Sequence, residues 1–304
     1  MTGVQTCALP ISKRADELKK HALGLVHDNP YLNTATKARL KSASHRHAKR
    51  WLSQTPRSAE LTLSNPEFGL AVRHLLGLPP ANDMPELCAC SHAATKNGKR
   101  GAVRIDQQPY DHFMCCPLFR KTSMNDRHNW INGVLVRSAR AAEFSVSSEV
   151  HHSRQPLAPA GSSMRERAYR PDSVYGGTYG RFHVDVSVAH PLAQSCVVQA
   201  SKTPLAAAAD REQVKRKKAG GWPAYLAVQF YPFVVESYGA VGKQAEHVLD
   251  IIARQAEEQG AGTKRDVRNL ILTRLSLALQ RGNARVYQLG LQKAHARAAG
   301  LPVR

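Results

Sequence analysis

The feature that most constrains this fold is a pair of strand-like segments joined by a glycine-containing turn. Residues 170–175 and 181–188 alternate valine, phenylalanine or tyrosine with polar side chains, and the sequence Gly-Gly-Thr-Tyr-Gly at 176–180 separates them. Alternation with a period of two is typical of half-buried strands, and a glycine-rich break is typical of a turn. The sequence therefore predicts a β-hairpin here.

This hairpin carries two aspartates, Asp172 and Asp185, with twelve residues between them. A hairpin can bring the two carboxylates together at its edge, where they would repel each other unless a divalent cation bridged them. The spacing therefore indicates a metal site. The alternative is that Asp172 only forms a turn after Pro171 and that Asp185 is a charge on an edge strand.

Composition indicates a basic protein with a core of its own. The 304 residues are 42% hydrophobic, and the formal net charge is +20, with lysine and arginine spread along the whole chain. The electrostatic field of such a charge distribution favours the binding of polyanions. The alternative is a merely soluble basic protein or a ribosomal-type binder. No apolar run approaches the roughly 20 residues of a membrane span, so we expect no membrane partner.

A cysteine cluster provides the second candidate site. The chain has six cysteines, and four of them lie close together in an intracellular-looking sequence, which favours metal binding over disulfides. Three thiolates and one imidazole form the soft tetrahedral set that zinc prefers. Cys115 could replace one ligand, and four scattered buried thiols are the alternative. The expected zinc ligands are Cys88, Cys90, His112 and Cys116.

The segment after the cysteines reads as a helix followed by a strand. Asp126 can cap a helix that runs to about Ala142, with inward-facing side chains. Residues 144–150 alternate and read as the first strand of the core, which would place Glu149 near the two aspartates. The side chains expected to face inward are Trp130, Val134 and Leu135.

Further helices and one buried strand are expected after the hairpin. Residues 206–220 read as a helix with a basic C-terminal end, which suits the helix dipole. Residues 225–236 are dense in apolar side chains and read as a buried central strand with a bend at Pro232. Two amphipathic helices are expected at about 240–258 and 264–291.

The N-terminal part is expected to be helical and basic. Residues 1–11 resemble the translation of a sequencing-adapter oligonucleotide, so we exclude them and expect the reading frame to lack its true start. Residues 12–53 read as basic amphipathic helices, whose charges suit either a solvated face or a nucleic acid. A short helix near residues 65–79 should pack Phe68 and Leu75 and stop at Gly77.

These motifs together resemble a known family. Pro171-Asp172, the twelve-residue gap and Asp185 look like the active-site core of PD-(D/E)XK, or restriction-like, endonucleases, in particular the one behind the reverse transcriptase of site-specific non-LTR retrotransposons. The order Cys-Cys-His-Cys is similar to the zinc knuckle in front of that endonuclease. The triplet Arg127-His128-Asn129 matches a motif between the two, although such a triplet on a helix is also common as ordinary polar surface.

The resemblance assigns roles to particular residues. It implies that Asp172 and Asp185, together with Glu149, hold Mg²⁺ or Mn²⁺. Ser187 stands where an ordinary restriction enzyme has lysine, and in the retroelement family that lysine lies on the next helix, in a Lys-x-x-x-Tyr pattern. The resemblance assigns the role of that lysine to Lys215, with Lys218 as the fallback, and Ala219 stands in place of the tyrosine. It also assigns contacts with DNA to Arg127, His128 and Asn129.

We therefore expect an α/β restriction-endonuclease-like core with a mixed central sheet flanked by helices. The expected divisions are a basic helical region at 12–83, a zinc knuckle at 84–121, the endonuclease at 122–260 and C-terminal helices at 261–304. The expected function is a nuclear or intracellular DNA endonuclease whose cut primes reverse transcription of an RNA template. The alternative is an inactive remnant that binds nucleic acid through the knuckle and basic helices.

Overall fold

The computed structural model describes Gly24 and residues 29–90, 93–94, 100–101, 103–148, 171–220 and 229–303. The predictions for residues 1–11, for most of the first basic helices and for Glu149 lie outside these residues. The described part contains seven α-helices. They are α1 (Thr34–Ala43), α2 (Asn65–Leu76), α3 (Ser123–Ala141), α4 (Val197–Lys202), α5 (Ala206–Gly220), α6 (Lys243–Glu258) and α7 (Lys264–Ala298).

Within the residues that the structure describes, six strands form two sheets. The strands are β1 (Ala93–Ala94), β2 (Arg100–Gly101), β3 (Ser145–Ser148), β4 (Ser173–Gly177), β5 (Gly180–Ala189) and β6 (Gln229–Glu236). Strands β1 and β2 pair by themselves, and the main sheet has the order β3-β4-β5-β6. Pairing is antiparallel from β3 to β5, whereas β6 runs parallel to β5. The prediction of an α/β chain with a mixed sheet is confirmed.

The predicted hairpin is formed by β4 and β5. Gly177 pairs with Gly180 across a two-residue turn, and Ser173 pairs with Val184 at the other end of the ladder. Continuing this register by one residue places Asp172 opposite Asp185. The parallel partner β6 needs a crossover connection, and α4 and α5 lie in that connection.

The main core lies between the sheet and three helices. Tyr175 and Phe182 stack at 5.0 Å between ring centroids, and Phe144 meets both rings edge-on. Apolar side chains of α3, α6 and α7 complete this cluster. Helix α7 also packs on the cysteine region through Val286 and Tyr287, so one helix of 35 residues joins the main core to the cysteine region.

Helix α3 differs from the prediction at its start and on one face. It begins at Ser123, so Asp126 lies in the first turn and is not the cap. Val134 and Leu135 are buried as expected, but Trp130 is 42% exposed. The helix turns Ile131 to the core instead, because residues at positions i and i+4 share the buried face with α7.

The short helix α2 follows its sequence signals. Ser64 and Glu67 form a reciprocal capping box at its start, and Gly77 ends it with φ 69°, which a glycine adopts without steric cost. Phe68 meets the buried Trp51 ring edge-on at 5.6 Å but remains 46% exposed. Among the described residues, no helix is long and apolar enough to cross a membrane.

Candidate functional site

The hairpin brings the two predicted aspartates together. Asp172 immediately precedes β4, and its Oδ2 accepts a 2.6 Å hydrogen bond from the backbone N–H of Val186. Its carboxyl group also lies close enough to that of Asp185 on β5 for each to shift the pKa of the other. The side chains are 23% and 15% exposed, so solvent reaches both while the sheet shields them.

Lys215 lies on the far side of this pair from α3. The Nζ of Lys215, on α5, donates to Oδ1 of Asp185 at 2.5 Å. Burial raises the pKa of Asp185, and the charge and hydrogen bond of Asp172 raise it further; Lys215 opposes this increase, which leaves the pKa at about 6. The carboxyl of Asp185 is therefore destabilised as an anion even with a lysine beside it.

His128 contacts the other aspartate. Its Nε2 lies 2.8 Å from Oδ2 of Asp172, and its Nδ1 lies 3.1 Å from Oδ1 of Asn129. Burial alone would raise the pKa of Asp172, but the hydrogen bond and charge of His128, followed by the bonds from Asp185 and Val186, lower it below its usual range. Burial lowers the pKa of His128, and Asp172 more than reverses that effect.

The remaining predicted residues lie at different distances from this pair. Lys218 is exposed one turn beyond Lys215, and Glu149 lies outside the described residues. Asn129 is exposed and contacts His128. Arg127 is only 3% exposed and donates from Nη1 to Oδ1 of Asn283 at 2.9 Å. Its burial does not agree with the predicted direct contact with DNA.

The sequence interpretation missed a second cation on α5. Arg211 lies four residues before Lys215, and its Nε donates to Oγ of Ser187 at 3.3 Å. It thus brings a positive charge to Ser187 on β5, two residues beyond Asp185. The i, i+4 spacing of Arg211 and Lys215 was the available signal, because such residues share one helix face.

A cleft of about 540 Å³ opens beside His128. It lies between the cysteine region, the start of α3, the end of β5 and α5. Its basic side chains are Arg120, Arg127, His128, His190 and Arg211. Arg120 and Arg211 are exposed, whereas Arg127 is part of the wall. Asp210 also lines the cleft, so its charge is mixed but predominantly positive, which favours negatively charged ligands.

The four predicted cysteine and histidine ligands also come together. Ligand atoms of Cys88, Cys90, His112 and Cys116 all lie within 4.8 Å of one another, so this group could hold a metal ion. The sulfurs of Cys88 and Cys116 are 4.0 Å apart, and Sγ of Cys90 is 3.2 Å from Nε2 of His112. The neighbouring Cys115 is exposed and outside the group.

The thiols and the imidazole of this group shift one another's pKa in opposite directions, lowering that of Cys90 and raising those of Cys116 and His112. Hydrogen bonds from Cys116 and Cys88, reinforced by His112, hold the pKa of Cys90 far below its usual range. Burial lowers the pKa of His112, but the hydrogen bonds and charges of Cys88 and Cys90 raise it to about 9. A thiolate, not a thiol, is the form that ligates metals.

Helix α7 holds the cysteine loop against the rest of the protein. Nη1 of Arg297 donates to the backbone carbonyls of Cys88 and Cys90 at 3.1 and 3.3 Å. Gly290 lets the Phe113 ring approach the helix, since a Cβ at this glycine would lie 2.6 Å from the ring. The position of the loop therefore depends on α7 as well as on its own cysteines.

A buried polar chain links the same region to β5. Nε2 of His190 lies 2.5 Å from Oδ2 of Asp111, and its Nδ1 lies 2.7 Å from Oγ of Ser237. All three residues are at most 8% exposed. Asp111 directly precedes His112, and His190 directly follows the strand that carries Asp185. Their pairing therefore joins the cysteine group to the carboxylate strand.

Within the described residues, the cysteine group is the one cluster of three or more potential metal ligands. No protein-family model matches the chain, and no curated protein matches it. The structure thus defines a mixed α/β protein with a Cys/His group that could hold a metal ion and a separate carboxylate pair flanked by a lysine and a histidine.

Proposed function

We propose that this chain is a metal-dependent DNA endonuclease with a restriction-like PD-(D/E)XK active site, of the kind carried by retrotransposon polyproteins. The observation that carries the proposal is the meeting of Asp172, Asp185 and Lys215 beside the interior strand β5 of the mixed sheet. Three residues from two strands and a crossover helix converge although up to 43 positions separate them in sequence.

The carboxylate pair has the chemistry of a site for a hard divalent cation. Two carboxylates offer the oxygen ligands that Mg²⁺ and Mn²⁺ prefer, and burial raises the pKa of Asp185 to about 6, so a bound cation would stabilise its charged form. Asp172 and Asp185 would hold the cation, with Glu149 as the expected third ligand. A cation bound there would polarise the scissile phosphate and lower the pKa of an attacking water.

Side chains of the protein would stabilise the reacting phosphate, orient the metal ligands and bind the DNA backbone. Lys215 would offset the negative charge that develops on the phosphate, and His128 would keep Asp172 oriented through its 2.8 Å contact. The exposed Arg120 and Arg211 would bind backbone phosphates along the basic cleft. The resulting strand end would prime reverse transcription on an RNA template.

The cysteine group is proposed to hold a structural zinc ion. Three thiolates and one imidazole form a closed tetrahedral set, which leaves no open position for a substrate. Zinc would fix a loop whose own apolar core is small and would thereby keep Asp111 in contact with His190.

A second function has support from specific residues. Ser187 and Ala219 depart from the family pattern, and Lys215 and His128 already offset the two carboxylates without a cation. These observations favour a catalytically inactive remnant of such an endonuclease, which binds nucleic acid through its basic cleft but does not cleave it.

The experiment that separates the two functions is plasmid nicking by the zinc-loaded protein. We expect conversion of supercoiled to open-circular DNA in Mg²⁺ or Mn²⁺ and none when the added divalent cation is omitted. Binding of the same plasmid is measured in parallel. Normal binding without nicking in either metal would overturn the endonuclease proposal in favour of the remnant.

A further inference from the structure

The exposed Trp130 belongs to a second cleft that the proposed active site does not use. This cleft of about 190 Å³ runs between α3 and α7. Trp130 stands at one end with 42% of its surface exposed. Gly133 and Ala278 contribute almost no side chain to its floor, so the backbones of the two helices form a shallow groove beside the indole.

The rim of this cleft is strongly cationic. Arg137 and Arg274 contact the carboxylate of Glu60, the one acidic side chain among the described residues that line the cleft, and Arg281 lines the cleft with them. Nη2 of Arg137 is 3.4 Å from Oε1 of Glu60, and Nε of Arg274 is 3.2 Å from Oε2. One carboxylate cannot neutralise three guanidinium groups, so the cleft keeps a net positive charge.

The three arginines are not equivalent. Arg281 donates to the backbone carbonyls of Ala59, Glu60 and Thr62, which gives it a structural role in holding that turn on α7. Arg137 is 64% exposed and Arg274 is 32% exposed. These two guanidinium groups can therefore reach an anion in solvent, with Glu60 as their shared contact.

A short chain of contacts connects the cleft to the carboxylate pair. Asn129 lines the cleft, and its Oδ1 lies 3.1 Å from Nδ1 of His128. Nε2 of His128 in turn contacts Asp172. The cleft and the carboxylate pair are therefore connected by two residues that are adjacent on α3, His128 and Asn129.

We propose that this cleft binds single-stranded nucleic acid, with one base stacked on Trp130 and neighbouring phosphates at Arg137 and Arg274. An aromatic face between cations is the arrangement that suits unpaired bases on a charged backbone. An apolar protein partner would instead have to bury these guanidinium groups, which is costly without matching acids. Binding here does not require the endonuclease to be active.

The test is fluorescence anisotropy with a labelled 15-nucleotide single strand, as DNA and as RNA, and with a duplex of the same length. The Trp130→Ala change should weaken single-strand binding by about 5- to 100-fold, the range for loss of one stacked base, and should affect the duplex much less. Trp130→Phe keeps a ring and should restore most of the affinity. Tyr31→Ala, at an aromatic residue that is 94% exposed elsewhere, is the matched control.

The charge component is tested separately with Arg137→Ala against Arg265→Ala, an exposed arginine at the start of α7. Arg137→Ala should reduce the slope of log affinity against log salt for single-strand binding by the equivalent of about one phosphate contact. Arg265→Ala should leave this slope unchanged. Equal affinities for Trp130→Ala and Tyr31→Ala, in proteins with the same unfolding midpoint, would overturn the proposal. The same measurement with Asp185→Asn protein separates this result from any failure of cleavage.

Discussion

The ammonium group of Lys215 lies 2.5 Å from the carboxylate of Asp185, although the two residues are on different elements of the fold. Helix α5 carries the lysine across the sheet because it lies in the crossover between the parallel strands β5 and β6. The connection that the sheet topology requires is thus also the element that brings a cation to the carboxylate pair.

The first prediction concerns this lysine. The change Lys215→Ala should lower the rate of DNA nicking by about 10²–10³, the usual cost of losing one preorganised charge at a developing anion. Lys217→Ala, on the exposed side of the same helix, is the matched control and should nick at the parental rate. The double change Lys215→Ala with Lys218→Ala should fall lower still, because both lysines share one helix face. A parental rate for Lys215→Ala would remove the lysine from the active site.

The second prediction uses two adjacent cysteines. Purified protein should carry about one zinc ion per chain. Cys116→Ser should lose it because Cys116 belongs to the buried group, whereas Cys115→Ser should retain it because Cys115 is exposed outside the group. Atomic emission on protein purified without chelator gives the ratio. Equal zinc contents in the two variants would contradict the assigned ligand set.

The third prediction concerns stability at acid pH. His74 is buried between Tyr238, stacked at 4.2 Å, and Tyr287, whose hydroxyl lies 2.9 Å from its Nδ1. Burial, followed by the charge of His190, lowers its pKa from 6.5 to about 3. The unfolded chain therefore binds a proton below pH 6.5 that the folded protein excludes, so stability is present above pH 6.5 and is lost as pH falls toward 3.

Urea unfolding at pH 7 and pH 5.5 measures this effect. When the pH falls from 7 to 5.5, the free energy of unfolding of the parent should decrease by about 1 kcal/mol more than that of His74→Gln. Each pKa unit corresponds to about 1.4 kcal/mol. His45 and His47, whose pKa values burial also lowers, remain in both proteins, so the difference isolates His74. An identical loss in parent and variant would show that His74 is not held neutral in the folded protein.

The fourth prediction concerns the salt dependence of binding. With a net charge of +20 and a basic cleft, log affinity for duplex DNA should fall with log salt by about 0.9 per phosphate contact. Asp172→Asn should bind at least as well as the parent, because it removes a negative charge near phosphate. Filter binding from 50 to 300 mM salt, a range over which the Debye length shortens about 2.4-fold, measures the slope. Salt-insensitive binding would leave the cleft without a role in nucleic-acid recognition.

The sequence predicted the part of the site that depends on short-range pairing. Alternation and the glycine turn determine the β4–β5 register, and that register places Asp172 opposite Asp185. The Cys-Cys-His-Cys order likewise identified a group that assembles in the structure. In both cases the residue types themselves require the arrangement, either through the period of a strand or through ligand chemistry.

Other features depend on tertiary packing that no local pattern encodes. Trp130 and Ile131 are adjacent apolar residues on α3, and only the position of α7 decides that Ile131 faces the core and Trp130 faces solvent. The contact of His190 with Asp111 spans 79 positions. The burial of Arg127 depends on Gly282, where a Cβ would lie 2.3 Å from the arginine side chain.

The central claim, that the carboxylate pair is catalytic, is tested most directly by nicking with three proteins at equal DNA occupancy in Mg²⁺. They are the parent, Asp185→Asn, and Asp83→Asn as a control at an aspartate whose side chain is 84% exposed. We predict that the parent and Asp83→Asn nick at the same rate and that Asp185→Asn nicks at least 100-fold more slowly while binding DNA normally. An Asp185→Asn protein that nicks at the parental rate would contradict the claim.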